Sequence, residues 1–545
     1  MNTSHDAPEG PAPLDPRPVD PPRTPLAALA AHLRAAGSPV EEVRPGPDPV
    51  LTGITLATTR VRPGDLYAAL PGTRAHGADY AAQALEAGAV AVLTDADGAA
   101  RLPAGVPTLV VPDPRRVLGR ASAHVYGEPA RRLRMIGVTG TQGKTTTTRL
   151  LEGGLSAAGL VSAVVGTVGT RIAGRDVQTS LTTPEAPDLH GLFAVMVEQG
   201  VEVCAMEVSS HALVLGRVDG VVFDVAVFLN LGRDHLDFHP TVEDYFQAKA
   251  SLFTPERARL AVVNADDEHG RRLVAQTALP VTTFSTAAPA ASGEPPADWW
   301  VSDVRTAPSR SDLVVHGPGG VSEPAGVPLA GGYNVSNVLA ALTATAVADL
   351  DPLLGVPEGD GSGATALARV AAGISGLPGV PGRLESVPGA PGFEVVVDYA
   401  HKPDAVQAAI DALRPLATGR VLVVLGAGGD RDTGKRPVMG EIAARLADVL
   451  VVTDDNPRSE EPAVIRAAVL AGARSVPEPE RAEVLEVCDR REAIATALRA
   501  AAPGDIVLVA GKGHETGQLV AGVLHPFDDR EVAAELLAAM AGEPT

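Results

Sequence analysis

The feature that most narrows the fold of this chain is an apolar strand that runs into a glycine-bearing turn and on into a helix: Met135-Ile136-Gly137-Val138-Thr139-Gly140-Thr141-Gln142-Gly143-Lys144-Thr145-Thr146. A strand joined to a helix by so short a turn commits the region to α/β architecture, a parallel sheet covered by helices. In that geometry backbone N–H groups and the helix N-terminus cradle phosphates, Lys144 reaches the outer phosphates, and the Thr145 hydroxyl can ligate magnesium. The general phosphate-loop pattern wants glycine five residues before Gly143, where Val138 stands, whereas Gly140 lies three before, so the loop is a variant.

Short apolar strands alternating with helical stretches continue at 203–208 and 222–229, and a second alternation begins after Arg383 with strands at 393–397, 421–425, 449–452 and 506–509. A chain of 545 residues has material for about three domains. The expected plan is a disordered tail over 1–24, an N-terminal domain over 25–130, a central domain over 131–378 and a C-terminal domain over 379–545. Clusters of Pro, Ser and Gly at 287–297 and 355–363 read as surface loops.

Composition then excludes partners. Lys and Arg total 45 against 66 Asp and Glu, a net charge of -21, and that field repels phosphate backbones and anionic lipid. Neither nucleic acid nor a membrane is an expected partner. The N-terminus lacks the apolar core of a signal peptide, no run approaches the roughly 18 apolar residues of a spanning helix, and Cys204 and Cys488 form no CxxC pair. A cytoplasmic, monomeric protein is expected. Of the 45 basic residues only five are lysine: Lys144, Lys249, Lys402, Lys435 and Lys512. Where Arg serves as the generic cation, lysine is expected where a compact, titratable ammonium matters; codon bias with chance survivors is the alternative.

Two further strand ends carry chemistry. Met206-Glu207-Val208-Ser209-Ser210-His211 and Asn230-Leu231-Gly232-Arg233-Asp234-His235 should reach the carboxyl edge beside the phosphate loop, where a carboxylate and an imidazole suit metal ligation. A helix capped by Thr241 carries an apolar stripe of Val242, Tyr245, Phe246, Leu252 and Phe253, and Lys249 falls on it. Burial lowers a lysine pKa, and a neutral amine can react with carbon dioxide to give a cation-binding carbamate; snorkelling to solvent is the alternative. Four charged loops, at 398–404, 430–437, 455–458 and 511–515, gather at another sheet edge. Arg431 and Arg458 could fork onto a carboxylate while Glu515 and Asp455 hold an ammonium, so the natural guest is an amino acid.

Taken with Thr182-Thr183-Pro184-Glu185, Leu236-Asp237, Gly332-Tyr333-Asn334-Val335-Ser336-Asn337 and Asp398 to Pro403, these segments resemble the Mur ligases, and among them the diaminopimelate-adding members, from about residue 50 to residue 535. The resemblance implies three α/β domains: a central P-loop-type ATPase with a parallel sheet, an N-terminal domain for the UDP-linked substrate and a Rossmann-like C-terminal domain. It implies that ATP phosphorylates the D-glutamate carboxylate of UDP-N-acetylmuramoyl-L-alanyl-D-glutamate, and that meso-diaminopimelate then attacks the acyl phosphate. Gly140, Thr141, Gln142, Gly143, Lys144, Thr145 and Thr146, with Asn334 and Arg383, would hold ATP. Thr145, Glu207, His235 and carbamylated Lys249 would hold magnesium, making Lys144, Lys249, Glu207 and His235 the catalytic set. Thr59, Thr182, Thr183, Ser209 and Arg217 would meet the UDP-linked substrate, and Arg431, Asp455, Asn456, Pro457, Arg458, Gly511 and Glu515 the diaminopimelate. Four positions depart from the family pattern: Thr58-Thr59-Arg60 for Asp-Ser-Arg, Gln142 for Asn, Gly232 for Ser and Leu215 for Gln. Rival readings are a folylpolyglutamate synthase, which would not need Asp-Asn-Pro-Arg, a lysine-adding relative, which would lack Arg458, and a non-catalytic P-loop regulator, which would not need Lys249 on an apolar face.

Overall fold

Strand Arg134–Thr139 is flanked in parallel by Val203–Glu207 and Phe223–Phe228, with Val138 opposite Glu207 and Thr139 opposite Phe228. These three chains therefore leave the sheet at one carboxyl edge. The computed structural model describes residues 14–542 apart from 45–47, 180, 233, 236, 288, 290–295, 357–364 and 431. The loops expected at 287–297 and 355–363 lie mostly outside the described residues. Two compact units are formed: Met1–Trp300 with Gly317–Gly319 and Leu339–Gly373, and Val301–His316 with Gly320–Val338 and Ile374–Thr545.

In the first unit the parallel sheet continues through Ser162–Gly166 on one side and Ala258–Asn264 and Val281–Ser285 on the other. Its central strands are buried residue after residue, which is why they read as unbroken apolar runs rather than alternating ones. Helix Lys144–Ala157 follows the phosphate loop and opens with four threonines, poor helix formers. Its tertiary face, with Leu150, Leu151 and Leu155 fully buried, outweighs that weakness at about 1.5 to 3 kcal/mol per side chain.

Residues 25–130 build a second, five-stranded sheet in the order Glu42–Arg44, Thr108–Val110, Ala91–Thr94, Asp65–Ala68, Gly53–Thr55. Its helix Pro114–Val125 is capped by Asp113 and packs on helix Ala186–Glu198, so Ala186 and Ala194 join the same apolar cluster as Leu29 and Leu118. This shared packing puts the N-terminal region and the phosphate-loop sheet in one unit. The tail expected to be disordered over 1–24 is docked from residue 14. Arg17 donates to both oxygens of buried Asp65 at 2.7 and 2.8 Å, and the Val19 and Asp20 amides donate to Glu198. An arginine opposite a buried carboxylate supplies the attachment that a Pro-rich composition hides.

In the second unit the strand order is Glu385–Ser386, Glu394–Asp398, Ile506–Ala510, Val421–Leu425, Val449–Val452, Glu483–Glu486, parallel except at its first member. Asp398 and Leu425 both stand opposite Ala510, and Leu425 opposite Val452, so four loops emerge at one edge. Sequence reading left out strands Arg310–Gly317 and Val321–Val327 and hairpin Gly517–Val520/Val523–Pro526. The hairpin is half-buried to exposed and carries no buried apolar stripe to announce it. Among the described residues no helix is long and apolar enough to cross a membrane.

Candidate active site

The phosphate loop is held from behind. Asn230, at the end of the neighbouring strand, accepts from the Thr141 and Gln142 amides at 3.1 and 3.0 Å and donates to the Gln142 carbonyl at 3.2 Å. Gly143 precedes the helix at φ +87°, a left-handed conformation that glycine adopts without strain. Lys144 folds back to donate to the Gly140 and Thr141 carbonyls at 2.8 and 3.1 Å, and Thr145 is buried at the helix start.

Lys249 comes to the same place from the capped helix Val242–Ala250. Its Nζ donates to the Gly140 carbonyl at 2.8 Å and lies 4.6 Å from the Tyr245 ring centre, with only 1% of the residue exposed. It does not snorkel. Burial first, and then the Lys144 charge, hold its pKa well below that of an ordinary lysine. Tyr245 in turn shares a hydrogen bond with Thr141 at 3.1 Å, tying the helix to the loop.

Glu207 ends its strand buried, accepting from the Thr167 amide at 2.7 Å and the Thr167 hydroxyl at 3.1 Å. Thr167 also contacts Thr182 at 3.0 Å. Thr183 donates to the Glu207 carbonyl at 2.9 Å, and Ser209 caps the short helix Ser210–Val214, of which Leu215 is the C-cap. Arg217 donates to Glu185 at 2.9 Å and to the Thr183 carbonyl at 3.3 Å, which orients the Thr182–Glu185 segment. Thr59 is exposed on the turn Thr58–Arg60, with no contact to that group among the described interactions.

His235, with φ +55°, sits edge-on to His211 at 4.8 Å, and His211 stacks on Phe238 at 4.0 Å. Buried His239 pairs with Ser210 at 2.9 Å. Burial lowers the pKa of both His211 and His239. Sequence reading did not separate this imidazole group from His235, although the spacing His235 to His239 was there to be seen.

The second unit gathers the other expected residues. Buried Asn334 donates to the Ala330 carbonyl at 2.7 Å and accepts from Asn337 at 3.0 Å, and Arg383 lies over the Tyr399 ring at 4.9 Å. Asp455 is buried and turned inward, and its Oδ1 makes no hydrogen bond. Asn456 donates to Glu515 at 2.8 Å, Pro457 follows it, and Gly511 turns at φ +123°. Arg458, at φ +55°, donates to the Gly429 carbonyl at 2.7 Å. Arg431 lies outside the described residues. Lys512, marked in the sequence as one of five lysines but given no place in the site, is wholly buried among these groups.

A Gly-Lys-Thr loop between a central parallel strand and a helix defines a phosphate-loop α/β protein. The chain matches the Mur ligase middle domain over residues 138–345, the Mur ligase glutamate ligase domain over 382–513 and the Mur ligase family catalytic domain over 50–126. It is 53% identical, over 96% of its length and 98% of the relative's, to the UDP-N-acetylmuramoyl-L-alanyl-D-glutamate–2,6-diaminopimelate ligase of Streptomyces coelicolor (strain ATCC BAA-471 / A3(2) / M145). A solved structure of a ligase with that same name aligns with TM-score 0.64 at 32% identity, covering 93% of this chain and 98% of that one. A Mycobacterium tuberculosis folylpolyglutamate synthase complexed with ADP and AMPPCP aligns with TM-score 0.55 at 19% identity, covering 78% of this chain and 95% of that one, a likeness of fold alone. This chain belongs to the Mur ligase family.

Proposed function

We propose that this enzyme is an ATP-dependent amide-forming ligase that adds meso-diaminopimelate to UDP-N-acetylmuramoyl-L-alanyl-D-glutamate in peptidoglycan precursor synthesis. The observation that carries this reading is the Asp455-Asn456-Pro457-Arg458 loop beside Glu515, a cation and a carboxylate on neighbouring loops of one sheet edge. The name of the Streptomyces relative supports it. Because the reaction consumes ATP and a nucleotide-linked sugar, we place it in the cytoplasm.

Phosphoryl transfer leaves little covalent work to the protein, so the residues position and neutralise. The phosphate-loop amides and Lys144 hold the outer phosphates while the D-glutamate carboxylate attacks the terminal one and ADP departs. The diaminopimelate amine then attacks the acyl carbon, and phosphate leaves. Thr182, Thr183 and Ser209 border the acceptor side, with Arg217 orienting them through Glu185. Thr145 and Glu207 offer the hard oxygen donors that suit magnesium, His235 stands on the adjoining loop, and Lys249 becomes a ligand only as a carbamate, since its amine now donates to a carbonyl. When bound, magnesium neutralises charge developing on the phosphates. Lys249 is suited to that change: a neutral amine takes up carbon dioxide, forming one N–C bond and releasing one proton.

The test is ATP turnover with the UDP-linked dipeptide and a panel of amino acids, run on the unmodified enzyme and on Arg458→Ala. Lysine and meso-diaminopimelate differ by one carboxylate, and a guanidinium rewards that group. Removing one partner of a desolvated charge pair is worth about 2 to 5 kcal/mol, so the variant's KM for diaminopimelate should rise on the order of a hundredfold with ATP binding unchanged. Equal use of lysine and diaminopimelate by the unmodified enzyme would overturn the assignment.

A further inference from the structure

Lys512 is fully buried in the loop that follows strand Ile506–Ala510, an environment from which a lone ammonium is strongly excluded. Its surroundings explain how it is kept. The ammonium donates to Asn456 Oδ1 at 3.1 Å and to the Gly517 carbonyl at 2.7 Å. It stands 3.4 Å from Asp455 Oδ1 and 3.7 Å from Glu515 Oε2. Arg490, another buried cation nearby, is engaged by Asp529 through two bonds of 2.7 Å and donates to the Ala510 carbonyl.

Three consequences follow from that one charge. Asn456 Oδ1 accepts from both Lys512 and the Leu519 amide, the latter at 2.9 Å, so its amide cannot flip and Nδ2 faces Glu515 Oε2 at 2.8 Å. Asp455, 7% exposed in its side chain, is compensated internally, whereas Glu515, 34% exposed, remains the carboxylate that an incoming ammonium can reach. The Gly517 carbonyl anchors the hairpin Gly517–Pro526, and that hairpin holds Arg458: the Arg458 amide donates to the Leu519 carbonyl at 2.9 Å and the Ala521 amide to the Arg458 carbonyl at 2.6 Å. These two bonds fix Arg458 in its left-handed backbone conformation.

We propose that Lys512 is a positioning residue of the amino-acid site, whose buried ammonium sets the places of Glu515, through Asn456, and of Arg458, through the hairpin. It does not touch the amino acid. It determines where the ammonium-binding and carboxylate-binding ends stand, and so which zwitterion spans them. An arginine could not do this in the same volume, because a guanidinium is planar and larger than the compact three-donor ammonium. The inference rests on the reading of this edge as the diaminopimelate site.

The experiment measures steady-state kinetics of Lys512→Met and of Lys512→Gln, which keeps a neutral donor, with thermal unfolding recorded for each. Loss of a residue that orients binding groups from behind is expected to raise KM for meso-diaminopimelate about 10- to 100-fold, while KM for ATP and for the UDP-linked dipeptide stays within about threefold and kcat at saturating diaminopimelate is largely kept. Unchanged KM for diaminopimelate, an equal loss toward all three substrates, or failure of both variants to fold would overturn the proposal and leave Lys512 to the fold alone. Failure of the underlying reading is distinguished by the unmodified enzyme: it would then show no preference for diaminopimelate at all.

Discussion

Lys144 and Lys249 converge on one carbonyl oxygen, that of Gly140, at 2.8 Å each. Burial disfavours the charged form of Lys249, and the neighbouring Lys144 charge acts in the same direction, so the Lys249 amine loses its proton more readily than an ordinary lysine. Because the carbamate forms from the neutral amine with release of a proton, acid opposes it. Stripping carbon dioxide at about pH 6 should therefore lower turnover, and added bicarbonate should restore it. Lys249→Ala should lose at least about 100-fold in kcat, with partial recovery on adding a short carboxylic acid. Turnover indifferent to carbon dioxide, together with an intact mass for unmodified lysine, would remove the carbamate. The spacing of the stripe Tyr245, Phe246, Leu252 and Phe253 made the burial of Lys249 legible in the sequence. Its partner was not legible, because Gly140 is 109 residues away and is met only through the packing of the capped helix on the loop.

At the level of elements, the second unit's candidate site is made by loops pressed against each other rather than by any single motif. Gly382 shows how closely. It has φ +64°, its amide donates to Glu385 at 2.7 Å, and it accepts from the Tyr399 amide at 2.9 Å. A Cβ there would lie 2.3 Å from the His514 amide nitrogen and 2.4 Å from the Gly513 carbonyl carbon. Gly382→Ala thus combines backbone strain with overpacking against backbone that has no rotamer to yield. A loss of about 2 to 4 kcal/mol is expected by chemical denaturation, with KM for the amino acid rising because the 511–515 loop is displaced. A variant as stable as the parent would show that the two loops can part. The sequence signals the turn through Pro378-Gly379-Val380-Pro381-Gly382, but nothing in it says which loop that turn touches.

For the whole molecule, acid sensitivity is built into the first unit's core. His190 is 0% exposed, shares a hydrogen bond with the Asp219 carbonyl at 3.1 Å, and has no hydrogen-bond partner at Nδ1 among the described residues. Burial depresses its pKa to about 4. A base held below its unfolded pKa of about 6.5 leaves stability intact above that value, since both states are then neutral. As pH falls from about 6.5 to about 4 the unfolded chain takes the proton first, and the unit should lose on the order of 3 kcal/mol. His190→Gln should flatten that part of the pH dependence in denaturant titrations. An unaltered slope would assign the acid sensitivity to other groups.

Local structure is legible in the chain alone. Strand apolarity, the glycine turn, the Thr241 cap and the helical spacing around Lys249 follow from neighbours a few residues apart, so the α/β class and the phosphate loop could be read directly. Not legible there is which distant groups neutralise one another: Arg17 with Asp65, which docks half of an expected tail, and Lys512 with Asn456 and Asp455, which leaves Glu515 the more exposed of the two carboxylates. The physical reason is that a buried charge must find a partner wherever the fold brings one, at any separation along the chain, and periodicity carries no record of that choice.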